Sequence, residues 1–240
     1  MADTIVELLT DVADAIREKK GTSEPINAQS FAEEIRTIES GGETKYEFAE
    51  TMVANNGHGT LSMQALVILN GVKSIDSYAF QYCGNLKTIQ FAETLESIGD
   101  YAFLHCSSIE SVSLPSSLVS LGKSAFSNNL ALQSFDIAID APLTTIPYNM
   151  LWKSTLLKKI VIPQNVNYID SFAFETCSGL QYIDFSHVLT IPTLFHVSAF
   201  NGTTCDIVVP DALYEQWIIS TNWSSLADRI VKNSQYTRPL

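Results

Sequence analysis

Apolar positions recur along this chain in a fixed order, at neither a simple helical spacing nor plain alternation. Each copy opens on a triad spaced three and then two residues apart: Met63/Leu66/Ile68, Leu86/Ile89/Phe91, Ile109/Val112/Leu114, Leu132/Phe135/Ile137, Leu157/Ile160/Ile162 and Leu180/Ile183/Phe185. A second pair follows: Val72/Ile75, Leu95/Ile98, Leu118/Leu121, Leu143/Ile146, Val166/Ile169 and, less regularly, Leu189/Ile191. Ala-Phe then closes the copy at 79–80, 102–103, 125–126, 173–174 and 199–200, with Met150-Leu151 as a degenerate version. The first three marks are 23 residues apart, and six units of 23 to 26 residues run from about Met63 to Gly202.

A unit this short cannot bury its own apolar side, so the pattern predicts stacking, each triad lying against those above and below. The last two triad positions alternate as on a strand, and Pro115 and Pro163 directly follow their triads, where a strand should stop. Six rungs at ~4.8 Å predict a parallel stack on the order of 30 Å long.

The flanks read differently. Ile5, Leu8, Leu9, Val12 and Ile16 follow helical spacing behind a capping box at Thr4–Glu7, and Gly21 marks a stop. Phe31, Ile35 and Ile38 form one stripe of a second helix over 27–39, followed by a linker at Glu39-Ser-Gly-Gly-Glu43. These eight apolar residues are the candidate anchor, for a larger assembly or for self-association. Residues 46–62 are expected to hold a first capping strand. Behind the repeats, Cys205–Pro210 reads as the last strand. Asp211 is expected to cap a helix to about Ser220, and a second helix to run from Asn222 or Trp223 to about Lys232, with Trp217 and Trp223 covering the last rung. The expected divisions are 1–40, 41–62, 63–202 and 203–240.

The pattern Leu-x-x-Ile-x-Leu-Pro-x-x-Leu-x-x-Ile-Gly-x-x-Ala-Phe-x-x-Cys, matched nearly position for position by 86–108 and 109–131, resembles the BspA-like leucine-rich repeat over about residues 60–210. The end, Val-Pro-Asp-x-Leu-Tyr-x-x-Trp with Thr-Asn-Trp, resembles the close of such proteins. Residues 13–21 and 26–35 resemble a short module that heads many proteins of phages and prophages of gut bacteria. The resemblance implies an α/β leucine-rich-repeat solenoid, β-rich with a parallel sheet, a small α-helical N-terminal domain and a helical C-terminal cap.

Charge and chemistry narrow the function. A formal net charge of -12 argues against nucleic acid or an anionic membrane as the main partner. No run reaches the ~18 apolar residues of a membrane span. Asp3 and Glu7 stand where the basic start of a signal peptide would be, so synthesis without an export leader is expected. Cys83, Cys106 and Cys177 share a slot with Asn129, Ser154 and Thr203, three residues after the repeat Phe, which reads as a small structural position. Cys83 and Cys106, on adjacent rungs, leave a disulfide open; neither they nor Cys205 have zinc-ligand spacing. His105 beside Cys106 suggests a dyad, but its slot is held elsewhere by Tyr82, Asn128, Lys153 and Thr176. His187 and His196 lack a third ligand, His58 stands alone, and no catalytic or cofactor motif is found.

What remains is a surface. Residues between the triad positions point outward in ladders, and the candidate binding face comprises Lys87, Thr88, Gln90, Ser111, Ser113, Ser134, Asp136, Lys158, Lys159, Tyr182 and Asp184. The expectation is a non-enzymatic binding protein without cofactor or metal. With the phage-like module it reads as a virion component, a fibre, tail or head decoration that meets a host surface protein or glycan or another virion protein. The alternative is a bacterial cell-surface adhesin of the BspA type. A dimer or trimer is the candidate oligomer.

Overall fold

A computed structural model describes residues 51–52, 64–68 and 70–239. The two helices expected over 4–39, the eight anchor residues, the linker and the 1–40 division lie outside the described residues; of 41–62, Thr51–Met52 is described and is a strand, where a first capping strand is expected.

The triads form one column of short parallel strands: Ala65–Val67, Thr88–Gln90, Ser111–Leu114, Ser134–Ile137, Lys159–Val161 and Tyr182–Asp184. Their middle residues stand in register, Leu66 on Ile89, Val112 on Phe135 and Ile160 on Ile183. All are buried except the half-buried Ile89. The second pairs form another column: Ser74–Ile75, Ser97–Ile98, Ser120–Leu121, Thr145–Ile146, Tyr168–Ile169 and Thr193–Leu194, with Thr51–Met52 in parallel ahead of the first. In the sixth unit the expected pair Leu189/Ile191 is corrected. Leu194 is the register partner of Ile169 and is buried with Val188, while Leu189 is 68% exposed. The longer sixth unit, with Pro192 inside it, moves the inward residue three places along.

The third side is built of turns, not helices. Among the described residues, the α-helical segment is the single turn Tyr214–Trp217, which corrects the α half of the expected α/β class to a strand-rich fold. Each of the first five repeat turns holds two residues in the left-handed region, such as Tyr78 at φ 65° and Tyr82 at φ 63°, Tyr101 at 58° and His105 at 61°, while the sixth is a 3-10 turn, Val197–Phe200, followed by Gly202 at φ 70°. Such a conformation costs a non-glycine residue roughly 1–2 kcal/mol. The return is a third ladder. With alternate peptides turned along the stack, Tyr78, Phe80 and Tyr82 donate their N–H groups to the carbonyls of Asp100, Ala102 and Leu104 at 2.8–2.9 Å. The rungs are thus hydrogen-bonded on three sides, and the repeat Phe stays inward.

The interior is a column of rings. Phe80, Phe103 and Phe126 stack at 5.1 Å, with Phe91 and Phe135 set edge-on beside them. Cys83, Cys106, Cys177 and Cys205 are buried free thiols; the Cys106 and Cys177 thiols donate to the Phe80 and Leu151 carbonyls at 3.1 and 3.0 Å. Burial pushes the Cys177 thiol up to about 12. Asn129 fills the same slot with both side-chain polar atoms buried and unpartnered. An unsatisfied buried group costs about 1–3 kcal/mol. Asn129→Cys, which copies Cys106 of the preceding rung, is therefore expected to raise unfolding stability by ~1–3 kcal/mol in chemical denaturation. Unchanged or lower stability would show that the amide is satisfied.

The C-terminal end departs most from expectation. Asp206–Val209 pairs on Tyr182–Asp184, and Ile230–Lys232 pairs in turn on Asp206–Val209, Ile207 opposite Ile230. The expected second helix is instead a 3-10 segment, Trp223–Arg229, that ends where this final strand begins. The reason is in the register: Ile230 follows Ile207 by 23 residues, one repeat, and Ile-Val suits a strand better than a helix. The first expected helix is shortened to a 3-10 turn, Asp211–Leu213, and the turn Tyr214–Trp217. Asp211 does not cap it; its carboxylate accepts from the Ser234 N–H at 3.0 Å. Trp217 and Trp223 fill the interior of this last turn, each about 5.5 Å from Phe185, and Trp223 Nε1 donates to the Pro192 carbonyl at 2.8 Å.

Candidate functional site

The strand column brings the candidate face together. Ser111 stands beside Ser134, Ser113 beside Asp136, and Lys159 beside Tyr182. Lys87, Thr88, Gln90, Ser111, Ser113, Asp136, Lys158 and Lys159 are exposed. Ser134 is half-buried and donates to the Asp136 carboxylate at 2.6 Å. Thr88, Ser111, Ser113 and Ser134 place hydroxyls on the second to fourth rungs, beside Lys87, Gln90 and Asp136, and Lys158 and Lys159 add paired positive charge on the fifth.

Tyr182 and Asp184 do not belong to the open face: they are 5% and 3% exposed. The chain's own tail covers them. Tyr236 packs on Tyr182 with ring centroids 5.4 Å apart, and Arg238 reaches the Asp184 carboxylate with Nη2 at 2.6 Å and Nε at 3.2 Å. Burial alone pushes the Asp184 carboxyl up. Hydrogen bonds from Ser186 and Arg238, with the guanidinium charge, outweigh burial and hold it below its ordinary range. A depressed carboxylate contributes stability above its unfolded value of about 3.9, and that contribution is lost as pH falls through the folded value. The tail is thus expected to stay docked at neutral pH and loosen below about pH 4. Nitrogen-15 relaxation of residues 233–239 would show the rise in mobility; a tail equally rigid at pH 3 and pH 7 would contradict it.

Sequence reasoning missed a second feature. The left-handed turn positions place their side chains in two outer columns, where Tyr78 stacks on Tyr101 and Tyr82 on His105, both at 5.0 Å. Lys123 lies over the Tyr101 ring and Asn128 bonds the His105 imidazole. The signal was available: these residues sit one before and three after the Ala of each Ala-Phe mark. Burial, then the charge of Lys153, lowers the His105 pKa. The Cys106 thiol is turned inward to Phe80, so the two neighbours do not form a dyad. Among the described residues, no three His, Cys, Asp or Glu side chains are grouped as metal ligands would be. Nor is any helix there long and apolar enough to cross a membrane.

The BspA type leucine rich repeat region matches residues 73–205 in six copies, and the chain belongs to that family. A leucine-rich repeat protein of Bacteroides ovatus is 17% identical over 70% of this chain and 52% of its own, with a TM-score of 0.51, a likeness that shows the fold. The chain spans about half the length of that relative. A leucine-rich repeat protein of Eubacterium ventriosum is 21% identical over 65% of this chain and 46% of its own, TM-score 0.49. A leucine rich cell surface protein of Faecalibacterium prausnitzii is 19% identical over 65% of this chain and 62% of its own, TM-score 0.38. No curated protein matches the chain.

Proposed function

We propose that the chain is a non-catalytic binding module of a bacterial cell-surface protein, which captures another macromolecule on the open strand face from Lys87 to Lys159. One observation carries this reading: a polar face, hydroxyl-bearing on the second to fourth rungs and ending in two adjacent lysines, presented by a stack of strands in register. Repeat solenoids commonly bind through such extended surfaces. Membership of the BspA type family supports the adhesin reading over the virion one. The virion reading rests on the resemblance carried by residues 13–35, outside the described residues. Removing residues 1–42 separates the two: loss of the chain from phage particles would favour the virion, and retained adhesion to cells the adhesin.

The lysine pair gives the sharper test. Lys158→Glu with Lys159→Glu is expected to weaken binding to intact target cells or matrix proteins by about tenfold or more, on the scale of two rim charges reversed in an electrostatically matched contact. Binding that survives this change and a Ser111→Arg/Ser113→Arg variant would remove the face as the site.

A further inference from the structure

The tail reports on the surface beneath it. Tyr182 and Asp184 are two residues apart on one strand, on the same face, and Tyr236 and Arg238 meet them in the same order and at the same two-residue spacing. On an extended chain, side chains two apart recur every ~6.6 Å on one face, so this match is that of a peptide laid along the strand. The contacts run through side chains: ring on ring, and guanidinium on a carboxylate that is 3% exposed. Arg238 itself keeps 39% of its side chain in solvent. The neighbouring rung adds a second carboxylate, since Asp206 is the register partner of Tyr182. That charge, after burial, pushes the Tyr236 hydroxyl up to about 12. With the tail in place, a ring lies on a ring and a guanidinium closes over a carboxylate, so the surface beneath is matched to an aromatic side chain and a cation two residues apart.

We infer that the last rungs of the strand face form a recognition site for an extended peptide carrying an aromatic residue two places before an arginine, and that the chain's tail occupies this site in cis. The inference rests on the reading of the strand face as the binding surface. Lys159 stands beside Tyr182 on the preceding rung, but the charge reversal and the peptide test change different side chains, so their failures are distinguishable. A tethered segment acts at an effective concentration of the order of millimolar, so a free peptide competes poorly until the tail is disarmed.

The test uses the full chain and a labelled peptide of residues 233–240, Asn-Ser-Gln-Tyr-Thr-Arg-Pro-Leu. The variant Tyr236→Ser/Arg238→Ser is expected to bind it at least about tenfold more tightly than the unaltered chain, the advantage of removing a tethered competitor. Adding Asp184→Asn to that variant should abolish most of the gain while circular dichroism stays native. Equal binding by both chains, no binding up to several millimolar peptide, or indifference to Asp184→Asn would overturn the inference. Should the emptied variant fail to fold, excess peptide on the unaltered chain is expected to free residues 234–239 in nitrogen-15 relaxation, and a tail that stays put overturns it equally. A concentration-dependent dimer that Arg238→Ser dissolves would mean that the tail reaches a second copy, which overturns occupancy in cis.

Discussion

Replacing Phe103 with alanine is expected to destabilise the chain by about 3–5 kcal/mol, the largest single effect in the repeat stack. Phe103 is fully buried and stacks on Phe80 and Phe126, both at 5.1 Å, with Phe91 edge-on at 5.8 Å. Its removal empties the middle of the ring column, and backbones tied rung to rung on three sides cannot close around the gap. The loss is also positional. In a stacked array, stability is a sum of unit terms and nearest-neighbour interfaces, so a gap at one rung uncouples those on either side. Denaturation followed by hydrogen exchange should show residues 64–100 losing protection before residues 130–210. A Tyr78→Ser variant, which deletes an exposed ring, is the control and should shift stability by less than about 1 kcal/mol. A single cooperative transition displaced by under about 1 kcal/mol in Phe103→Ala would contradict the packing account.

The second large effect concerns backbone approach. Gly122 donates its N–H to the Ile98 carbonyl at 2.7 Å, and a Cβ built on it would run into the backbone of Gly99 and Asp100 in the preceding rung. A flexible side chain could move aside; a hydrogen-bonded backbone cannot without parting the rungs. Gly122→Ala is therefore expected to cost about 3 kcal/mol or more, within the range reserved for a few named mechanisms such as overpacking. Gly84→Ala provides the contrast. Its nearest neighbour would be the Ser107 hydroxyl at 3.7 Å, ordinary contact, so the change should stay within about 1 kcal/mol. Equal melting temperatures for the two variants would show that the rungs part more freely than the hydrogen bonds imply. Asp76, Pro147 and Asp170 follow the equivalent strands of other rungs, so glycine is demanded here by this close approach and not by the repeat as a whole.

The inward residues were legible because one apolar pattern recurs every 23 to 26 residues, and Ala-Phe marks its phase. Leu66, Val112, Phe135, Ile160 and Ile183 are buried where the triads put them. The final strand was not legible, since Ile230–Lys232 carries no Ala-Phe mark; its distance from Ile207 was the available clue. The turn side was missed because left-handed Tyr, His and Phe defy single-residue preference, and only the cross-rung ladder makes them affordable. The candidate face divided on the same ground. Residues from Lys87 to Lys159 follow strand alternation alone. Tyr182 and Asp184 obey that alternation too, yet they are buried by a contact 54 residues away that no local pattern encodes.

The strand face as the binding surface is the central claim, and hydrogen-exchange footprinting of the full chain bound to target cells or their isolated surface proteins tests it most directly. Protection on binding should concentrate in Thr88–Gln90, Ser111–Leu114, Ser134–Ile137 and Lys159–Val161, and leave the turns at 76–83, 99–106 and 122–129 unchanged. Protection confined to those turns, with the strands unaffected, would place the binding surface on the aromatic columns and contradict the account.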